Sequence, residues 1–520
     1  MINDVVIAGA GPNGLMLACE LSLAGVRPIV LERLPEPGTE RRANGLVGQV
    51  VSMLDRRGLY ERLSGDTEPP LPVPRFVFGA LPLELAGLED NPLFTLLVPQ
   101  ARVTQVLTDR AVELGVEIRR GHELTGLSQD DEAVAVTVTG PRGAYRLPAR
   151  HLVGADGGHS LTRKLSGIAF PGVTKDDTVS RTADARLPAE WLDQATGALH
   201  VPGYGVLPPF AHHRNERGVF VFATPPGRPP LVSTMEWDPA GDGDGPMTLD
   251  EMRASVRRVL GVDVPLTPPD GDGPHLLRRR AGGSTRLAER YRDRRVHLVG
   301  DAAHVHAAIG GPGLNLGLQD AINLGWKLAA EIRGDAPPGL LDTYESERRP
   351  AARRVVMHTQ AQSALIAPGG DVTALRELFA ELLGDRHTAG RIAALMAGSD
   401  VRYDMGTAAT HPLAGRYAPD LVLRTGAGTV RLADLTVTAR PLLIDLTEDG
   451  LPAGAAPEGV EVVTGRAEDA PATALLLRPD SYVAWASSSP RPDTAELDGL
   501  RAAAGRWSSP GTTLSGSTCR

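Results

Sequence analysis

Apolar residues crowd into short runs along this chain, and the spacing inside each run limits what it can become. The first run, VVIAGA from Val5, is continuous rather than alternating, as a strand buried on both faces requires. Glycines follow, then an amphipathic helix predicted over Leu15 to about Ala24, then a second buried run, PIVLE. Strand, helix and strand in that order predict a βαβ unit at the N-terminus. Helical period returns over residues 104–115, TQVLTDRAVELG. VEIRRGHELTGLSQDDEAVAVTV reads as strand and hairpin, and AYRLPARHLVGADGG as a strand that ends at a glycine-rich corner.

From about Phe170 to Leu277 the texture changes to prolines and alternating aromatic or β-branched strands, with one helix near Leu249–Val259. From Tyr291 the α/β pattern resumes with RRVHLVGD. Helices are predicted from about Leu314 to Arg333, over Leu341–Ala364 and near 387–398. After about Arg402, separate strands (RPLLIDL, EVVTG, YVAWAS) predict a small α/β module. The division expected is a discontinuous first domain over 1–175 and 285–395, an inserted mixed-sheet domain over 176–284 and a module over 400–510. Residues 511–520, rich in Ser, Gly and Thr, read as a disordered tail. The fold class is α/β with α+β elements.

Composition narrows the choices. Hydrophobic residues are 42% and charged residues 22% of 520, as in a globular protein. A net charge of −9 offers no basic footprint for nucleic acid. There is no run of 18 apolar residues, so no membrane span is expected, and with a strand beginning at Val5 no signal peptide is expected. Two cysteines, Cys19 and Cys519, make no disulfide framework, so a cytoplasmic location is expected. The close histidine pairs, His212–His213 and His304/His306, have no cysteine beside them, and no metal site is expected.

GAGPNG, residues 9–14, places G-x-G-x-x-G between strand and helix, the context this motif needs. Its glycines let backbone approach a pyrophosphate, and the helix N-terminus offers that anion unpaired N–H groups. Glu32 ends the next strand, where a carboxylate can accept both hydroxyls of a ribose. NAD and FAD share this device. In LVGADGGHSLTRK, Asp156 closes a strand at a glycine corner, and a helix N-cap is an equal reading. In HLVGDAAH, Asp301 sits at the carboxyl end of a strand, where ligands bind in α/β sheets, and a helix N-cap is again the alternative. HVHAAIGGPGLN then gathers backbone-permissive residues just before a long helix, as a loop that must approach a ligand closely would.

G-x-G-x-x-G with a distant Glu, a mid-chain DG and a later GD, in this order, resembles the FAD-dependent aromatic hydroxylases, the group A flavoprotein monooxygenases. NGLVGQVVSMLDRRGLYERL, VPQARVTQVL, GLNLGLQDAINLGWKLA and LLDTYESERRP strengthen the resemblance over roughly residues 1–490, toward the actinobacterial branch acting on polycyclic aromatic polyketides. It implies a Rossmann-like FAD-binding domain, an inserted substrate-binding sheet and a thioredoxin-like C-terminal domain. That last domain lacks C-x-x-C, so no thiol redox role follows. It also implies roles. Gly9, Gly11, Pro12 and Gly14 would hold the FAD pyrophosphate, with Glu32 and Arg33 at the adenosine ribose. Arg42 would face the pyrophosphate or the incoming nicotinamide. Gln100 and Arg102 would lie on the ribityl side. Asp156 would serve FAD and NAD(P)H, and Asp301 the ribityl hydroxyls. Gly311, Gly313, Leu314 and Asn315 would bring backbone N–H groups to the flavin pyrimidine edge, where negative charge gathers on reduction.

The reaction implied is insertion of one oxygen atom of O2 into a polycyclic aromatic through a flavin C4a-hydroperoxide, with NADPH or NADH as transient reductant. No second dinucleotide motif is evident. Baeyer–Villiger or ring-cleaving oxygenation, an FAD oxidase or dehydrogenase, and a ligand-binding protein without catalysis remain alternatives. The partners expected are the aromatic substrate, O2 and NAD(P)H, with no nucleic acid or membrane, in a monomer or homodimer. No W-x-W-x-I-P motif of flavin halogenases is present. No catalytic acid or base is identified. Candidates for lining the substrate cleft are Tyr204, Phe210, Phe222 and Trp237, with His212, His213, Phe220 and Met235, although alternating aromatics equally form a core. Three places depart from the family pattern. Ala308 stands where relatives often carry Pro, Pro312 where they carry Gln, and GLVGQ (Gly45–Gln49) where they read GLHAR.

Overall fold

The computed structural model describes residues 2–38, 45–224, 229–237, 245–271, 275–307, 309–406 and 410–507. Strand β1 (Asn3–Ala8), helix α1 (Pro12–Leu23) and strand β2 (Pro28–Glu32) form the N-terminal unit. β2 runs parallel to β1, with Val5 opposite Pro28 and Ala8 opposite Leu31. Helix α2 (Gln100–Glu113) buries Val103, Val106, Leu107 and Ala111 at helical spacing and packs on α1. β3 (Glu117–Arg120) adds parallel to β2. The hairpin β4 (Glu123–Gln129) and β5 (Val134–Gly140) leads into the long β6 (Gly143–Gly154). The first half of β6 pairs antiparallel with β5, and its second half lies parallel to β1.

A second sheet begins with β7 (Gly172–Asp184), β8 (His213–Asn215), β9 (Gly218–Ala223) and β10 (Leu231–Trp237). Helix α3 (Leu249–Leu260) starts at the Thr248 cap and lays Met252, Val256 and Val259 on one face of that sheet. After β11 (Leu277–Leu287) the chain returns to the first sheet with β12 (Arg292–Asp293) and β13 (Val296–Leu298). It crosses again at β14 (His304–Val305), which pairs with β11. The first sheet thus runs β12-β13-β6-β1-β2-β3, and the second β8-β9-β10-β7-β11-β14. Five residues, 299–303, carry the chain from one sheet to the other.

Helix α4 (Pro312–Arg333) is buried along nearly its whole length, against α1 and under α5 (Thr343–Leu365). Two more helices follow, α6 (Gly370–Leu383) and α7 (Arg386–Ala397). The first of these, α6, is not among the elements expected from the sequence. The spacing of Leu375, Leu378 and Leu382 is a helical signal, and all three stay about half exposed.

The C-terminal sheet holds β15 (Leu442–Asp445), β16 (Glu461–Thr464), β17 (Ala474–Leu477) and β18 (Val483–Ser487), in the order β16-β15-β17-β18. Helix α8 (Thr494–Gly505), begun by an Asp493/Glu496 capping box, packs on β18. Charged groups bind this unit to the rest. The buried Arg57 donates to both oxygens of Glu20 on α1 (2.6 and 3.0 Å) and to the carbonyls of Thr436 and Pro479. Arg56 donates to Ala418 and Pro419. These two arginines are the RR of MLDRRG.

Candidate cofactor site

The turn after β1 is built for close approach. Gly11 is the N-cap of α1, with Pro12 as the first helical residue and no side chain capping the helix. Its neighbouring glycines have packing reasons. A Cβ on Gly14 would lie 2.0 Å from the Gly9 carbonyl oxygen, and one on Gly9 would lie 2.5 Å from that of Ala155. Gly11 differs. A Cβ there would meet no atom of the described residues within 4 Å, so packing among them does not need the glycine.

Glu32 ends β2 beside this turn. One carboxylate oxygen accepts the Ala10 N–H (2.9 Å) and the other the Leu34 N–H (2.9 Å), which fixes the group next to the helix N-terminus. Arg33 is exposed. Asp156 is committed to its own loop. It accepts from the Ser160 hydroxyl and from both the N–H and hydroxyl of Thr162 (2.9 Å each), while Ser160 caps the helix Leu161–Leu165. The second glycine corner is therefore held from inside, by its own side chains.

The chain crosses between the sheets at Gly300–Ala302, a single 3-10 turn. Gly300 has φ +60°, and its N–H donates to Asp320 Oδ2 (3.3 Å). Asn13, the second residue of α1, is wedged here. Its Nδ2 would lie 2.0 Å from a Cβ on Gly300 and 2.3 Å from one on Gly317 of α4. One short side chain thus brings together the first glycine motif, the GD turn and the long helix. Asp301, in that turn, is exposed. Behind it His304 Nε2 sits 2.7 Å from Asp320 Oδ2, both side chains fully buried.

In the loop entering α4, Gly311 is the N-cap (φ +72°) and Pro312 is first in the helix, again with no side-chain cap. The chain thus repeats Gly-Pro at two helix starts whose N-cap residues supply no side-chain cap, each with first-turn N–H groups and a positive dipole end. Leu314 and Gly313 are half-buried. The Asn315 side chain ties the loop down, accepting from the Val47 N–H (3.3 Å) and donating to the Gly311 carbonyl (3.0 Å). The His306 ring lies 3.5 Å from where a Gly313 Cβ would be. Burial pushes His306 and His358 down to about 4, which keeps both rings neutral at pH 7. Arg42 and Ala308 lie outside the described residues.

Gln100 opens α2 half-buried, and Arg102 is exposed, donating to the Arg62 carbonyl (2.9 Å). Gln49, at the position where the family reads Arg, is buried and donates to the Tyr482 hydroxyl of the C-terminal unit (3.0 Å). Sequence reasoning misses Asn13, Asp320 and Arg348. All three lie inside or beside quoted motifs (GAGPNG, GLQDA, ESERRP), but each acts through a distant residue.

The second sheet corrects the aromatic candidates. Thr234 and Glu236 of β10 meet Ser255 of α3 (2.6 and 2.5 Å), so the alternate residues Met235 and Trp237 point to the opposite face. In the β9–β10 register Phe220 faces Thr234 and Phe222 faces Val232. Phe220 and Phe222 therefore lie in the core under α3, both fully buried, and do not line the open face. Tyr204 packs at the edge of the same core, its hydroxyl accepting from Asn215 (3.3 Å). Trp237 and Met235 are half-buried on the open face, and Phe210 is 49% exposed. Ser180 and Thr182 share that open face, as do Arg278 and Arg280 across from them. His213 Nε2 donates to the Pro208 carbonyl (2.9 Å), with its ring tilted against Phe220. Among the described residues no helix is long and apolar enough to cross a membrane, and no cluster of His, Cys, Asp and Glu could hold a metal ion.

A family model described as FAD binding domain matches residues 3–359, and one described as aromatic-ring hydroxylase, C-terminal, matches 411–510. The chain is 43% identical over 520 residues to 12-dehydrotetracycline 5-monooxygenase/anhydrotetracycline 6-monooxygenase of Streptomyces rimosus subsp. rimosus, covering 98% of this chain and 99% of that one. It matches the solved anhydrotetracycline hydroxylase from Streptomyces rimosus with TM-score 0.83 and 40% identity, over 98% of this chain and 100% of that chain. It is also 37% identical over 515 residues to dialkyldecalin synthase of Streptomyces rugosporus, covering 98% of this chain and 100% of that one.

Proposed function

The chain belongs to the FAD-binding aromatic-ring hydroxylases and is an FAD-dependent monooxygenase, and from that premise we propose that it hydroxylates a polycyclic aromatic polyketide, using NADPH or NADH as reductant. The observation that carries the assignment of the cofactor site is Gly11. It is a glycine at an uncapped helix start that the protein's own packing does not need, beside a carboxylate aimed by two backbone N–H groups. Both features suit a dinucleotide pyrophosphate and its ribose.

When bound, FAD supplies hydride acceptance and activation of O2. The residues divide the remaining work. Gly9, Gly11, Pro12 and Gly14 bring the start of α1 against the pyrophosphate, and Glu32 accepts from the adenosine ribose with Arg33 alongside. Asp301 accepts from the ribityl hydroxyls, and Gln100 and Arg102 close the same side. The α4 start, Gly311 to Asn315, directs N–H groups and a positive dipole end at the ring edge where negative charge gathers. Asp156, held by Ser160 and Thr162, keeps acceptor capacity for FAD or NAD(P)H at the DG corner. The open face of the second sheet, with Met235 and Trp237, presents the substrate, and closing it against the FAD-binding body excludes water. In this division residues 1–175 and 285–395 hold the cofactor, 176–284 the substrate, and 400–510 form the thioredoxin-like unit. The chain works in the cytoplasm, where reduced nicotinamide nucleotide is at hand, as a monomer or homodimer.

A single assay tests this. The purified protein should be yellow with FAD, should consume NADPH or NADH faster when a polycyclic phenol or quinone is added, and should yield a product heavier by one oxygen atom. A product of unchanged mass, as a synthase would give, or one lighter by two hydrogens, overturns the hydroxylase reading. A protein that takes up no FAD overturns the site.

A further inference from the structure

Two buried polar networks join the C-terminal unit to the FAD-binding body, and they end in different places. In one, Arg478 and Lys327 meet on Glu347 (2.7 Å each), with Asp480 and Asn323 beside them. This network lies between α4, α5 and the strand turn at 478–482, and it borders the second one: the Arg478 guanidinium is 5.1 Å from the Tyr403 ring centroid and 5.8 Å from that of Tyr482.

The other runs out of the C-terminal unit toward the GD turn. Gln49 donates to the Tyr482 hydroxyl (3.0 Å), and the Tyr482 ring stacks on Tyr403 with centroids 4.1 Å apart. Arg348 donates to the Tyr403 hydroxyl (3.0 Å) and to Asp320 Oδ1 (2.8 Å). Asp320 Oδ2 then receives His304 Nε2 (2.7 Å) and the Gly300 N–H (3.3 Å). Every side chain in the series is at least nine-tenths buried. A buried carboxylate in low dielectric is held strongly by its partners, and its orientation is set by whatever orients them. Here Arg348 is oriented by Tyr403, together with Gln319 (3.2 Å) and the Leu316 carbonyl (3.4 Å).

We propose that Tyr403 and Tyr482 are positioning residues for FAD: through Arg348 and Asp320 they hold the Gly300–His304 turn in the shape that places Asp301. The C-terminal unit thereby acts on the cofactor site without touching it. This rests on the reading that the GD turn contacts FAD.

The test compares full-length variants by FAD dissociation constant, from quenching of flavin fluorescence, and by melting temperature without FAD. Tyr403→Phe removes the hydroxyl that Arg348 uses, and Tyr482→Leu removes the stack, while Tyr482→Phe keeps it. Arg431→Ala is the control. It breaks an interdomain ion pair with Asp55 (2.7 Å) that does not lead to the turn. The expected result is FAD binding weakened about tenfold in Tyr403→Phe and Tyr482→Leu, largely restored in Tyr482→Phe, and changed less than about twofold in Arg431→Ala at a similar melting temperature. Tight wild-type binding with Tyr403→Phe unchanged, or weakening that tracks melting temperature in all four variants, overturns the proposal alone. Failure of the wild-type protein to bind FAD overturns the cofactor-site reading and this proposal with it.

Discussion

Asn13 fills the space that a side chain at Gly300 would need: its Nδ2 lies 2.0 Å from where a Cβ would stand. Helix α1 and the GD turn are therefore fitted to each other through one amide. Gly300→Ala should lower the melting temperature and weaken FAD binding together, since the turn must shift and φ is +60°. Asn13→Ala added to it should recover part of both losses. A double-mutant cycle with no coupling would show that the two residues do not share that space.

Gly11 and Gly14 separate binding from packing. Gly11→Ala meets no atom of the described residues, and its extended φ of −73° suits alanine, so stability should change by less than about 1 kcal/mol. FAD affinity should fall at least about tenfold. Gly14→Ala drives a Cβ into the Gly9 carbonyl and should cost about 2–5 kcal/mol of stability. Urea melts of the apoprotein, set beside FAD titrations, check both.

On the second sheet, truncating the two faces should give opposite phenotypes. Phe222→Ala opens a cavity in the core under α3 and should cost about 3–5 kcal/mol, with KM for the aromatic substrate unchanged in the folded fraction. Trp237→Ala on the open face should raise KM severalfold and move the melting temperature little. Steady-state kinetics and calorimetry distinguish them.

Glu347 makes stability fall in acid. Burial alone would raise its pKa, but Arg478 and Lys327 outweigh that and hold it at about 2, below the ordinary 4.5. A carboxylate depressed in the folded state adds stability that is fully present above pH 4.5 and is lost as pH falls toward 2. Lys327, pulled by burial down to about 8, binds fewer protons folded than unfolded between pH 8 and 10.5, so its contribution rises with pH there. Melting temperature followed from pH 5 to 2 should drop more steeply in wild type than in Glu347→Gln. Parallel curves would show that the acid limb lies elsewhere.

Local pattern was enough for much of this protein. The continuous apolar runs of β1 and β2 and the glycines between them predict the βαβ unit that the structure has, with Glu32 at its strand end, because buried parallel strands and helix starts leave their marks within a few residues. The start of α4 was legible for the same reason. Facing was not. Phe222 and Trp237 look alike in an alternating strand, and only the position of α3 decides which side of the sheet is core. Nor could spacing link Gln49 to Tyr482, 433 residues apart, or His304 to Arg348 through Asp320. Those partners are chosen by three-dimensional packing, where a buried charge must find its complement wherever the fold has brought one.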